Sequence, residues 1–146
     1  NMFGKYAICG IDWADWVNYF DLHRDYEKES QLWSSMSCAD PIHLINRVFG
    51  TPPRWHVTLQ KEVEFDKALS PVEMRQIKGY SLFDWCGIIE RSQKIDTVAT
   101  GVVFLFEKIS LNCIPTIHSR NKEVTSATSD FELMKKIYSK EYIYEV

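Results

Sequence analysis

Four histidines, His23, His43, His56 and His118, are the side chains best suited to proton transfer near neutral pH. His56 lies on the polar face of an alternating segment, and His118 stands two residues before Arg120. These two histidines are therefore the candidates for a general acid–base pair in a cleft. Histidines that face water are the more common arrangement, and sequence spacing does not show that the two meet.

Two of the histidines also have a spacing from cysteines that could bind zinc. Cys38 precedes His43, and Cys113 precedes His118, in each case with the spacing C-x4-H, which together would supply four ligands. Pro41 interrupts the first pair at a predicted helix start, and neither pair has the turn that is usual in zinc knuckles. We therefore predict free core cysteines, surface histidines, and no metal or other cofactor.

Sequence motifs for nucleotide binding or hydrolysis do not occur in the chain. There is no G-x-G-x-x-G, no Walker loop, no G-x-S-x-G and no H-E-x-x-H. The run His23-Arg24-Asp25 copies three letters of a kinase catalytic loop, but the glycine-rich loop, the strand lysine and the D-F-G element are missing. The sequence therefore predicts no catalytic residues, and an enzyme with a cleft near His56 and His118 is the alternative.

Acidic residues are concentrated near the amino end of the chain. The segment from Asp12 to Glu29 contains six acidic and two basic residues, a net charge of minus four, whereas the whole chain carries −3. Apolar and aromatic side chains alternate with these acids. A negative field beside accessible rings is typical of a surface that binds a basic protein, because charge steers the encounter and the rings anchor it.

The same segment has the spacing of one amphipathic helix from Asp12 to about Ser34. Asp12 is a plausible N-cap for this helix. The apolar stripe, which is predicted to face the core, consists of Trp13, Trp16, Val17 and Phe20. The acidic stripe consists of Asp21, Asp25 and Glu29. A solvated charged face is the simplest meaning of such a stripe, and a partner-binding surface is the alternative.

The remaining chain is predicted to be helical at first and then largely extended. Asp40-Pro41 reads as the start of a short helix that Gly50 ends, and Ser70-Pro71-Val72-Glu73 reads as a capping box. Ser81 to Arg91 fits either a helix or a strand, and we favour an extended structure.

The predicted strands are Trp55 to Phe65, Thr97 to Ile109 at the centre of the sheet, Ile114 to His118 at an edge or beginning at Pro115, and Glu141 to Val146 as a last strand or docked tail. Arg120 to Ser129 is predicted to be a loop, and a final helix follows it with Phe131, Met134, Ile137 and Tyr138 on one face.

These elements predict an α+β fold, with amino-terminal helices packed on a mostly antiparallel sheet in one domain over residues 2–146. Asn1 before Met2 reads as the remnant of an expression tag.

No signal peptide and no apolar run long enough to span a membrane are present, which predicts a cytoplasmic protein without membrane contact. No window concentrates Lys and Arg, so direct nucleic-acid binding is not predicted.

In size, mild acidity, the acidic and aromatic segment over residues 12–33 and the lack of catalytic motifs, the chain resembles bacterial immunity proteins of the contact-dependent growth inhibition type. The resemblance implies binding and neutralising a cognate toxin protein with a basic surface, often a nuclease. It assigns ion pairs with the toxin to Asp15, Asp21, Asp25 and Glu29. It assigns the filling of pockets on the toxin to Tyr19, Tyr26 and Trp33.

Overall fold

The computed structural model describes residues 2–49, 57–58, 63–120 and 124–146. Its helices are α1 (Met2–Ile8), α2 (Trp16–Tyr19), α3 (Tyr26–Ser35), α4 (Cys86–Arg91), α5 (Val102–Phe106) and α6 (Val124–Ile137). Two short 3₁₀ helices, Trp13–Asp15 and Leu82–Trp85, lead directly into α2 and α4. None of the helices in these residues is long and apolar enough to cross a membrane.

A five-stranded parallel sheet forms the centre of the fold. Its strands are β1 (Ile42–Asn46), β4 (Ser70–Glu73), β5 (Ser92–Val98), β6 (Thr116–His118) and β7 (Ile143–Glu145), in the spatial order β4-β1-β5-β6-β7. Every pairing in this sheet is parallel. The strands β2 (Val48–Phe49) and β3 (Val57–Thr58) form a separate antiparallel pair. The prediction of a mostly antiparallel α+β fold is therefore wrong, and the fold is α/β.

The fold class was predicted wrongly because an apolar run can form either a strand or a helix. Thr97 to Ile109 was predicted to be one central strand, but β5 ends at Val98 and α5 begins at Val102. A helix buried on all sides and a strand buried on both faces give the same apolar run, so the pattern alone cannot separate them. Most of the predicted strand Trp55 to Phe65 lies outside the described residues, which include only β3 and residues 63–65 of it.

Several local predictions of secondary structure are also wrong. The segment after Pro41 is the strand β1 and not a helix, because it pairs with β4 on one side and with β5 on the other. All five of its residues are buried, as expected for a central parallel strand. Ser70 begins β4 instead of a helix, whereas the segment from Leu82 to Arg91 is helical and not extended. The predicted loop over Arg120 to Ser129 is partly helix, since α6 begins at Val124. The final helix, the strand that ends at His118 and the last strand are confirmed. The strand that ends at His118 begins directly after Pro115, as one alternative predicted, and lies between β5 and β7 instead of at an edge.

The predicted helix from Asp12 to Ser34 is divided into separate pieces. Two aspartates each cap a helix start: Asp12 accepts a hydrogen bond from the Ala14 N–H at 2.9 Å, and Asp25 accepts one from the Lys28 N–H at 3.1 Å. The cap at Asp12 is confirmed, and the second cap explains why the chain is not helical between α2 and α3. Asp21 therefore does not share a helix with Glu29.

The two faces of the sheet differ in chemistry. One face packs the main core against α3, α4, α5 and α6, and its apolar side chains include Leu44, Val72, Ile95 and Ile117. Because side chains alternate along a strand, the neighbours of these residues point to the other face. That face holds the buried polar residues His43, Asp96 and His118. The sheet thus separates an apolar core from a polar cluster.

Candidate functional site

A cleft of about 550 Å³ opens at the carboxyl ends of the parallel strands. Its floor includes Asn46, the last residue of β1, and Thr100, which follows β5. The chain leaves β1 toward β4 on one side and later leaves β5 toward β6 on the other. Ligands of open α/β sheets bind at such a reversal of strand order, beyond the carboxyl ends of the strands.

Polar and basic side chains line this cleft together with apolar ones. The polar lining residues are Asn46, Arg75, Gln76, Ser81, Thr100 and Arg120. Among the described lining residues none is acidic, although the chain as a whole carries a net charge of −3. The exposed Arg75 guanidinium gives this lining a positive charge, which favours an anionic ligand.

Hydrogen bonds at the centre of the cleft orient the side chains there. The Asn46 side-chain amide donates to Thr97 Oγ1 at 3.0 Å and to Thr100 Oγ1 at 3.3 Å. Thr100 Oγ1 also accepts from the Val102 N–H at 3.4 Å. Because both contacts use this oxygen as an acceptor, its own O–H can donate to a ligand.

Gly101 lies beside Thr100 and leaves the backbone open to the cleft. A Cβ atom built on Gly101 would have no heavy atom within 4 Å, so this part of the cleft has room for a ligand atom. The φ of Gly101 is −57°, a value that other residues adopt readily. Neither the backbone conformation nor a close neighbour requires glycine at this position.

The opposite side of the cleft is formed by residues that follow the edge strand β4. It contains Met74 to Ile77 and Tyr80 to Leu82, and buried Trp85 lies beneath it. Ser81 opens the 3₁₀ helix, and its N–H and Oγ donate to Asp84 Oδ2 at 2.6 and 3.0 Å. The Ser81 hydroxyl can therefore accept a hydrogen bond from a ligand but cannot donate one to it.

The chain matches no model of a protein family, no curated protein and no solved structure. The residues of the cleft and the order of the strands therefore supply the functional argument.

A second polar group, the His–Asp–His cluster of His43, Asp96 and His118, is buried within the sheet. His43 Nε2 is 2.7 Å from Asp96 Oδ2, and His118 Nε2 is 2.8 Å from Asp96 Oδ1. His43 Nδ1 accepts the Asp66 N–H at 2.9 Å, which places the ring proton on Nε2, where it is donated to Asp96. The ring of Phe65 packs edge-on against His43, with 5.5 Å between centroids.

Burial and hydrogen bonding shift the pKa values in this cluster. Desolvation lowers the pKa of His43 below 6.5 even though Asp96 opposes it, so the ring is neutral at pH 7. Burial alone would raise the pKa of Asp96, but the hydrogen bonds from His118 and His43 lower it below 3.8. His118 Nδ1 is buried without a hydrogen-bond partner and lies 3.5 Å from Glu145 Oε2.

The predicted histidine pair is not assembled in the described structure. His118 is buried in the His–Asp–His cluster and does not line the cleft, whereas His56 lies outside the described residues. The prediction of surface histidines is wrong for His43 and His118, which are buried. The C-x4-H coincidence also fails, because within residues 2–49, 57–58, 63–120 and 124–146 no group of three or more His, Cys, Asp or Glu side chains could hold a metal.

The predicted partner-binding residues separate into exposed and internal groups. Asp15, Tyr19, Asp21, Asp25 and Tyr26 are exposed. Glu29 is buried, and both of its carboxylate oxygens accept hydrogen bonds from Arg24, at 2.8 and 2.5 Å. Trp33 is half-buried against the core, with the Arg91 guanidinium 4.9 Å above its ring. Glu29 and Trp33 therefore serve the interior of this chain.

The residues of the cleft were missed by sequence reasoning. Asn46 follows the buried run Ile42 to Ile45, and Thr100-Gly101 follows the buried end of β5. Small and polar residues directly after buried parallel strands mark this edge of an α/β sheet. That signal could have been used only if both segments had been recognised as parallel strands ending at Asn46 and Val98.

Proposed function

We propose that the chain binds a small anionic ligand in the cleft at the carboxyl ends of β1 and β5. The supporting observation is the lining of a space of about 550 Å³, which includes the exposed Arg75 and no acidic side chain among the described residues. Clefts of roughly 300–1,000 Å³ are the size that accommodates small molecules. Arginine suits phosphate and carboxylate because its planar fork can donate two parallel hydrogen bonds.

Pyrophosphate is the probe with which we test this proposal. We expect amide chemical shifts to change around Asn46, Arg75 and Thr100 during an NMR titration of the whole chain. Arg75→Glu and Gly101→Leu are each expected to weaken pyrophosphate binding at least about tenfold, or ~1.4 kcal/mol, the first by charge and the second by filling space. Both positions are exposed, so the free energy of unfolding should change by less than about 0.5 kcal/mol.

Lys67→Glu is the matched control, because it makes the same charge change at an exposed residue that does not line the cleft. It should leave the dissociation constant for pyrophosphate within about twofold of the wild-type value, because a distant surface substitution acts independently of the cleft. Equal weakening by Lys67→Glu and Arg75→Glu would show a general charge effect and contradict the proposal. Shifts confined to residues outside the cleft would contradict it as well.

We also propose a second function, in which the chain binds and neutralises a basic bacterial toxin in the cytoplasm as an immunity protein. The observation that favours it is the exposure of Tyr19 and Tyr26, at 74% and 67%, beside exposed Asp15, Asp21 and Asp25. Large rings that are left in water next to carboxylates are suited to anchoring a basic protein. This function uses a different surface from the cleft.

The toxin proposal predicts loss of one specific partner from a surface variant. The double variant Tyr19→Ala and Asp15→Lys should lose a basic toxin that the wild type captures from its native cells, and inhibition of the isolated toxin should fall at least about 30-fold, or ~2 kcal/mol. Glu64→Lys is the control, because it makes the same charge change as Asp15→Lys at an exposed residue in the segment before β4. Equal capture and inhibition by the wild type and the double variant would refute the proposal.

A further inference from the structure

We infer that a groove near the amino end of the chain binds a small organic cation of the quaternary ammonium type. The aromatic groove is a space of about 600 Å³ between α1, the first 3₁₀ helix, α2 and α5. This volume lies within the range for small-molecule ligands, so there is room for a substituent beyond a cationic head group. The groove includes Tyr19, which the toxin proposal also uses, but the inference concerns a small ligand and rests on neither proposed function.

Aromatic rings form nearly all of the lining of this groove. Six of its seven described lining residues are aromatic: Tyr6, Trp13, Trp16, Tyr19, Phe20 and Phe104. The rings lie in different planes, because Trp13 stacks on Tyr6 at an interplanar angle of 21°, whereas Phe104 meets the Trp16 ring edge-on at 79°. The face of each aromatic ring attracts a cation through the quadrupole of the ring. A lining with several rings in different planes is the arrangement that recognises quaternary ammonium groups.

The side chains of the groove offer few hydrogen-bond acceptors, which favours a quaternary ion over a primary one. Trp16 Nε1 donates to the Ile137 carbonyl oxygen at 2.7 Å, and an indole N–H accepts no hydrogen bond. The acceptors on the described lining side chains are therefore the hydroxyl oxygens of Tyr6 and Tyr19. A primary ammonium has three N–H donors that lose water on entering such a site, and burying them without acceptors costs free energy. A quaternary ammonium has no N–H donor and avoids this cost.

Carboxylates next to the groove favour a cation over a neutral apolar ligand. Three exposed aspartates, Asp12, Asp15 and Asp21, adjoin the described lining residues in the sequence, whereas Lys5 is the one basic residue that does so. The Asp12 carboxylate accepts a hydrogen bond from the Ala14 N–H at 2.9 Å, which holds it at the start of the first 3₁₀ helix. This excess of negative charge attracts a cation to the rings.

Three probes test the inference: choline, its neutral isostere 3,3-dimethyl-1-butanol, in which carbon replaces nitrogen, and ethanolamine, which keeps the charge but lacks the methyl groups. The whole chain is titrated at constant ionic strength, and the NMR signals of the Trp13 and Trp16 indole N–H groups are followed. We expect choline to bind about tenfold or more tightly than either of the other probes. The comparison with the isostere measures the effect of charge, and the comparison with ethanolamine measures the effect of the methyl groups.

Two variants with the same substitution locate the binding site. Tyr19→Leu removes a ring from the groove but keeps an apolar side chain, and because Tyr19 is 74% exposed the chain should still fold. It should weaken choline binding at least about threefold. Tyr26→Leu is the matched control, because Tyr26 is 67% exposed and does not line the groove. It should leave the dissociation constant for choline unchanged.

Each alternative result overturns the inference. Equal binding of choline and 3,3-dimethyl-1-butanol would show that the groove selects apolar surface without regard to charge. Ethanolamine that binds as tightly as choline would show that the methyl groups have no role. The inference also fails if none of the probes binds, or if Tyr19→Leu and Tyr26→Leu have equal effects on choline binding.

Discussion

Replacing Asp96 with alanine is expected to lower the free energy of unfolding by about 3–5 kcal/mol. The Asp96 carboxylate is buried and accepts hydrogen bonds from both His43 and His118. Without it, two buried imidazole N–H groups lose their acceptor, and each unsatisfied donor costs about 1–3 kcal/mol. The loss of side-chain volume adds a cavity between adjacent strands. Chemical denaturation at pH 7 measures the change.

Two control variants separate the cluster from a general effect of losing a carboxylate. Asp96→Asn preserves the volume but has one acceptor oxygen instead of two, so it should be less destabilising than Asp96→Ala. Asp40→Ala removes an exposed carboxylate that lies 3.4 Å from Arg91, and it should cost less than about 1 kcal/mol. An Asp96→Ala protein as stable as Asp40→Ala would show that the cluster does not stabilise the fold.

The same cluster predicts how wild-type stability depends on pH. The folded-state pKa of His43 is below 6.5, so the unfolded chain binds a proton near pH 6.5 that the folded chain does not. The contribution of neutral His43 to the free energy of unfolding is thus present above pH 6.5. It decreases as the pH falls toward the folded-state pKa of His43. Asp96, whose folded-state pKa lies below 3.8, adds a second loss in more acidic solution. Both groups make the protein less stable in acid.

Replacing Arg24 with alanine is expected to have an effect of similar size, about 3–5 kcal/mol. Arg24 donates two hydrogen bonds to Glu29, at 2.8 and 2.5 Å, and two to Glu90, at 2.8 and 2.9 Å. Glu29 is only 5% exposed, so removal of the guanidinium leaves a buried carboxylate without its partner. Hydrogen bonding to Glu29 is the main cause that raises the pKa of Arg24 above its usual value. Thermal and chemical denaturation measure the loss.

A double variant tests whether the unpaired charge causes this loss. Arg24→Met combined with Glu29→Leu removes both charges, so it should recover much of the stability that Arg24→Ala loses. Lys135→Ala breaks the exposed pair with Glu132 and should cost less than about 1 kcal/mol. Equal destabilisation by Arg24→Ala and Lys135→Ala would contradict a structural role for the Arg24 pair.

Close packing of α3 on α4 explains why Glu29 is inside the molecule. A Cβ atom on Gly87 of α4 would lie 3.0 Å from Glu29 Oε2, so the glycine allows the two helices to approach each other. In the sequence, Glu29 reads as one member of an acidic stripe. Its burial depends on Gly87 and Glu90, which lie about 60 residues further along the chain. Local charge spacing cannot reveal a partner at that distance.

The sequence by itself determined the features that depend on near neighbours. The cap at Asp12, the helix with Phe131 and Ile137 on one face, and the concentration of acids between Asp12 and Glu29 are properties of short segments. Capping and helical periodicity act over a few residues, so they can be predicted without the fold.

The tertiary structure alone decided the sheet direction, the cleft and the His–Asp–His cluster. Parallel pairing joins strands that are distant in the sequence, and an apolar run such as Ile42 to Ile45 is compatible with a helix or with a buried strand. Asp96 meets His43 across 53 positions of the chain and His118 across 22. Such contacts depend on strand order and register, which arise from the burial of the whole sheet and leave no periodic signal in any one segment.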